Sequence, residues 1–178
     1  MSNKESDNEG EFLVAGAKTY LDVDDAMEQF RRLVQDHCTA MLSKRIDEVN
    51  RICKMDWTPN DLKDYKWRQP DSFHIGKHFA IENFGGLYIC LELNREKDGM
   101  DYATVVYLWR QRRDLARDLW DRLHSAPSDG QYCEGNSLIF QRPLSEDKIP
   151  SFLEYLNLTL NDFIAFIEGS GGLKKYLP

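Results

Sequence analysis

Between residues 26 and 52, apolar side chains return every three or four positions: Ala26, Phe30, Leu33, Val34, Cys38, Met41, Leu42, Ile46, Val49 and Ile52. A stripe of that period, held for about 30 residues, is one face of a long α-helix, and it demands a layer to be buried against. Asp22 stands where an N-cap belongs. Asp24, Asp25 and Glu28 fill the turn after it, where the helix dipole favours carboxylates. The pattern predicts a helix beginning at Asp22. Upstream, residues 12–21 are apolar enough to lie against the body, with Gly16 breaking any regular element. Residues 1–11 are polar and acidic and read as a disordered tail. The remainder, 12–178, is short enough for one domain and long enough to bury a sizeable core.

The period then changes. Residues 54–72 carry Pro59 and Pro70 and no repeat, which predicts a long loop with at most one helical turn. Residues 73–82 read as a strand and Asn83-Phe84-Gly85-Gly86 as a turn. Leu87, Ile89, Leu91 and Leu93 alternate with Tyr88, Cys90, Glu92 and Asn94, the period of a half-buried strand. Lys97-Asp98-Gly99 is a turn signal, and residues 101–109, rich in β-branched and aromatic side chains, make a third strand. A second helix is expected over 110–124, a fourth strand over 137–142, and a C-terminal helical region over 143–168, broken near Asn157 or Thr159 and closed by Gly169. Leu173, Tyr176 and Leu177 are expected to dock as a tail. The class is α+β: a long N-terminal helix, a three-stranded antiparallel meander, a helix, a fourth strand and a helical end, with the helices on one face of the sheet.

Charge is unevenly spread. The chain carries −7, and residues 1–30 hold eight acids against Lys4 and Lys18, so the rest is nearly neutral. Cys38, Cys53, Cys90 and Cys133 form no C-x-x-C pair, and the first ten residues lack the apolar run of a signal peptide. Both observations point to reduced thiols and a cytoplasmic protein. No apolar run approaches a membrane span.

A search for chemistry returns little. His74 and His78 would be one turn apart on a helix, but on a strand they lie roughly 13 Å apart, too far to share one zinc. They read as histidines on an outer sheet face. His37 and Cys38 are neighbours about 100° apart on a helix and do not face each other. Glu82 and Glu92 flank the first hairpin. They would make an enzyme only if the fold brought them and a histidine into one pocket. Gly85-Gly86 and Gly169-Ser170-Gly171-Gly172 are turn and helix-end glycines; neither precedes a helix as a phosphate cradle does. No metal and no cofactor is expected.

Two clusters point to partners. Trp57, Tyr65, Trp67, Arg68 and Phe73 concentrate the residue types that anchor protein interfaces. The competing explanation is that these rings pin a long loop to the core. Arg110, Arg112, Arg113 and Arg117 crowd the second helix and could meet nucleic acid, although Asp114, Asp118 and Asp121 interleave as on a solvated helix face. The expectation is a non-enzymatic module that binds another protein, of the immunity or antitoxin inhibitor type. A nucleic-acid-associated protein and a small enzyme are the alternatives.

Overall fold

The alternation around Leu87 marks the middle of a six-stranded antiparallel sheet. The computed structural model describes residues 3–96 and 99–177. Its strands are β1 (Lys63–Gln69), β2 (Ser72–Ile81), β3 (Gly85–Glu96), β4 (Gly99–Arg110), β5 (Gln131–Glu134) and β6 (Ser137–Leu144). Their order across the sheet is β1-β2-β3-β4-β6-β5. The helices are α1 (Asn3–Cys53), α2 (Arg117–Ser125) and α3 (Phe152–Gly169). The α+β class, the long first helix and the helices packed on the sheet are as the sequence predicts.

Several boundaries differ, each for a physical reason. The helix does not begin at Asp22; its backbone is helical from Asn3, through Gly16 and through the expected tail, of which Met1 and Ser2 lie outside the described residues. The single helical turn expected in the 54–72 loop falls at Pro59–Asp61 as a 3-10 turn, but Lys63–Gln69 of that loop form β1, so the meander has four strands. Lys97 and Asp98, the expected turn, lie outside the described residues. β4 runs on to Arg110, and Ala116 takes a left-handed conformation (φ 51°), so the second helix starts at Arg117. The C-terminal region splits at Ser145–Ser151 rather than at Asn157, and α3 is unbroken.

Residues up to Leu33 form one compact unit and those from Val34 another. In the first, Glu28 receives Arg31 and Arg32 on the next turn. In the second, cross-strand register sorts the side chains. Phe79, Leu87, Leu108 and Leu138 stand in one row, and Ile89, Val106 and Phe140 in the next. All seven are sealed from water. On top of them lie the C-terminal part of α1 (Val34, Cys38, Leu42, Val49), α2 (Leu119, Leu123) and α3 (Leu156, Leu160, Phe163, Ile167). Phe163 meets Phe140 edge-on at 5.6 Å, and the Thr104 and Thr159 hydroxyls share a buried hydrogen bond of 2.8 Å. Arg45 and Arg51 tie α1 to Asn157 and Glu168 of α3, and the amide of buried Leu173 donates to the Ile52 carbonyl, docking the tail. All three helical segments of this unit thus share one side of the sheet.

Candidate functional site

The other side of the sheet carries no helix from this unit, and its rows are aromatic and polar. Lys63, His78, Tyr88, Tyr107, Ile139 and Tyr132 stand side by side across all six strands. His78 stacks on Tyr88 (5.3 Å, 11°) and Tyr88 on Tyr107 (4.6 Å, 5°). The adjacent row holds Tyr65, Gly76, Cys90 and Val105. Gly76 has no side chain there, and Tyr65 meets Tyr88 edge-on at 4.8 Å. The Tyr107 hydroxyl donates to that of Tyr65. The rings close over Cys90, which is fully buried. The third row is Trp67, His74, Glu92 and Ala103. Trp67 is 37% exposed and meets His74 at 4.9 Å. His74 Nε2 lies 3.5 Å from Glu92 Oε1, which also accepts from Asn94 at 2.8 Å.

The five residues expected to bind a partner divide between two faces. Tyr65 and Trp67 are on the helix-free face. Arg68 and Phe73 pair with each other in the register and belong to the opposite side. Trp57 stacks on buried Phe79 (4.3 Å, 11°) and is clamped by both polar atoms of the Asn50 amide, so it pins its segment to the core. The rings that complete the helix-free face, Tyr88 and Tyr107, lie outside the aromatic stretch read in the sequence. The period-2 pattern placing Tyr88 with Cys90 and Glu92 was the signal that could have found the first.

The arginines also separate. Arg110 is a strand residue, buried, with its guanidinium 4.0 Å over the Trp120 ring and a bond of 2.6 Å to the Leu115 carbonyl. Arg112 pairs with Asp114 at 2.7 Å. Arg112, Arg113 and Arg117 are exposed. Glu82 is exposed at the far end of β2 from His74, and eight strand residues, roughly 26 Å, separate the two. The enzyme alternative therefore has no convergent acid pair here. His74 and His78 point to one face, as a strand requires, each with Nδ1 unpartnered among the described residues. His37 is exposed and Cys38 buried. Among the described residues no three His, Cys, Asp or Glu side chains are placed to hold a metal ion. No helix among them is long and apolar enough to cross a membrane.

Comparison with protein-family models, with curated proteins and with solved structures finds no match to this chain. The site must be read from its own chemistry.

That chemistry is largely neutral. Burial pushes Tyr65 up to about 12, against the lowering effect of the Tyr107 bond, and burial raises Tyr88 and Tyr107 as well, so all three keep their phenol protons. Burial also raises Cys38 and Cys53 to about 12, and Cys90 well above the ordinary thiol value. None of these three is an activated nucleophile. Burial lowers His78, and the nearby Lys63 charge adds to this. For Glu92 burial is the largest single influence and pushes upward, yet the hydrogen bonds from His74 and Asn94 and the His74 charge together leave it below the ordinary carboxylate value.

Both shifts act in one direction. A histidine held low when folded takes its proton later than the unfolded chain does. Its contribution is therefore present above about 6.5 and lost as the pH falls. A carboxylate held low contributes above about 4.5 and is lost below that. Denaturation midpoints in urea should fall between about pH 7.5 and pH 5.5. His78→Phe should flatten that first decline, and Glu92→Gln should leave it intact. A decline unchanged in His78→Phe would assign it to other groups.

Proposed function

We propose that this chain is a non-catalytic protein-binding module that docks its partner on the helix-free face of the sheet. The observation that carries this reading is the row of stacked rings on that face, bordered by exposed Trp67 at one end and Tyr132 (40% exposed) at the other. Aromatic side chains bring large contact area at low entropic cost and dominate the energetics of protein interfaces. Among the described side chains the formal charges on the face are Lys63, Glu92, Asp101 and Glu134, mostly acidic, with Glu92 already engaged by His74. A surface of that kind suits a protein partner better than a phosphate backbone, which would call for a track of cations.

The finer version is a neutralising inhibitor of the immunity or antitoxin type, acting in the cytoplasm. The acid-rich first 30 residues support it, because they would speed encounter with a basic target. The test is capture of the full chain with its partners from the native cell, followed by binding measurements on the recovered protein. One stoichiometric protein should be recovered, and Trp67→Ala with Tyr132→Ala should weaken it at least tenfold, about 1.4 kcal/mol. Trp57→Ala should lower stability and leave affinity unchanged. Recovery of no partner, or full affinity in the Trp67/Tyr132 pair, defeats the reading.

A further inference from the structure

Glu92 carries a charge where charge is disfavoured. Its side chain is 16% exposed, as is that of His74 beside it, and rings crowd the pair. Trp67, Tyr65 and Tyr107 stand 4.9, 6.5 and 6.4 Å from the His74 ring. A carboxylate buried to that degree ordinarily has a permanent cation beside it. Here the neighbour is a histidine, which is a counter-ion only when protonated. His74 and Asn94 both approach the same oxygen, Oε1, and no donor among the described residues reaches Oε2. The rest of this corner adds acceptors. The next row along the strands is Gln69, Ser72, Asn94 and Asp101, with Asp101 exposed. The Asn94 amide gives an N–H to Glu92 and keeps its own carbonyl oxygen to accept. Lys63, the cation among the described side chains of this face, lies two rows along and two strands across, roughly 16 Å away. That is about twice the screening length at physiological salt, so Lys63 does not neutralise the corner. Burial raises the Tyr132 phenol, and the charges of Glu92 and Glu134 raise it further, so the negative field extends to the opposite rim.

We propose that this corner receives an arginine side chain of the protein partner, its guanidinium set against the free oxygens of Glu92 and Asn94 and stacked on the Trp67 ring. The proposal rests on the docking face described above and names the chemistry of what docks there. Guanidinium suits the corner better than ammonium. It is planar and stacks on aromatic faces, it presents several donors in one plane, and it gives up water more readily. Enclosed among rings, the contact is stronger than an ion pair in open solvent. Asp101 at the margin would steer the incoming cation rather than hold it.

Two measurements on the full chain keep this separate from the docking reading. In the first, N-acetyl-arginine amide is titrated to about 50 mM and followed by NMR. The Trp67 indole signal should shift and saturate, while that of buried Trp120 stays put. The citrulline analogue, of similar shape without the charge, should give no response, and the lysine analogue should bind at least about threefold more weakly. Glu92→Gln keeps an oxygen for His74 and Asn94, so it should fold and yet lose the arginine response. In the second, affinity for the captured partner should fall about tenfold in Glu92→Gln and about two- to threefold, through the on-rate, in Asp101→Asn. Should Glu92→Gln fail to fold, Trp67→Leu carries the test, because it removes the ring at an edge strand and should weaken the arginine response at least about threefold. No shift with arginine, an equal response to citrulline or lysine, or variants that bind probe and partner as the parent does would overturn the arginine site. Partner capture still weakened by Trp67→Ala with Tyr132→Ala would then leave the docking face standing. Arginine held at Glu92 in a chain that recovers no partner would do the reverse, keeping the cation site and sinking the docking reading.

Discussion

Replacing Gly76 by alanine should cost about 3 kcal/mol or more, and valine more still. A Cβ at this position would lie 2.1 Å from the Ile89 carbonyl oxygen, 2.6 Å from Cys90 Cα and 2.8 Å from Cys90 Cβ. The first two are backbone atoms of the neighbouring strand, and they can yield only if β2 separates from β3 near the centre of the sheet. Any side chain there would also disturb Tyr65, and with it the hydrogen bond to Tyr107 and the cover over Cys90. For a chain of this length the midpoint temperature should drop by roughly 6–12 °C in the alanine variant. Gly99→Ala is the control, since among the described residues nothing stands within 4 Å of a Cβ there, and it should be close to neutral. A Gly76→Ala protein as stable as the parent would show that β2 and β3 are not so closely apposed.

Arg110→Ala should be the second large effect, about 3 kcal/mol, and it should act on stability with no change in any charge-dependent binding. The guanidinium fills space against Trp120, which itself approaches Phe84 at 6.5 Å, and it serves the Leu115 carbonyl in the turn before α2. Alanine leaves a cavity and strands that carbonyl. Arg110→Met should recover at least half of the loss. It refills the space and removes a buried charge whose Nε has no partner among the described residues. A variant that instead keeps its stability and loses salt-dependent affinity for DNA or RNA would restore the nucleic-acid alternative.

The sequence disclosed those parts of the fold in which one face is buried and the other wet. The stripe from Val34 to Ile52, the alternation from Leu87 to Asn94 and the apolar side of α3 all have that character. β1 escaped because it is an edge strand: in Lys-Asp-Tyr-Lys-Trp-Arg-Gln both faces are largely exposed, so no alternation is written into it. β5 is too short to show a period. The start of α1 was misplaced because Gly16 and Asp22 are local signals of a break and a cap, and a longer helix can override either. The candidate site was half legible. Trp57, Tyr65, Trp67 and Phe73 read as one cluster along the chain, but strand parity sends Tyr65 and Trp67 to one side and Phe73 to the other. Tyr88 and Tyr107 join Tyr65 only through a register that no single segment specifies.

The order of the strands has a consequence for biosynthesis. β1, β2 and β3 each pair with the next strand along the chain, so the first four strands can zip together by short-range closures as they leave the ribosome. The cover for Leu91, Thr104 and Phe140 comes from α3, at residues 152–169. A nascent chain that has just finished β6 therefore holds a formed sheet with much of its greasy side bare. That interval is when the molecule is most open to misassociation and to capture by chaperones.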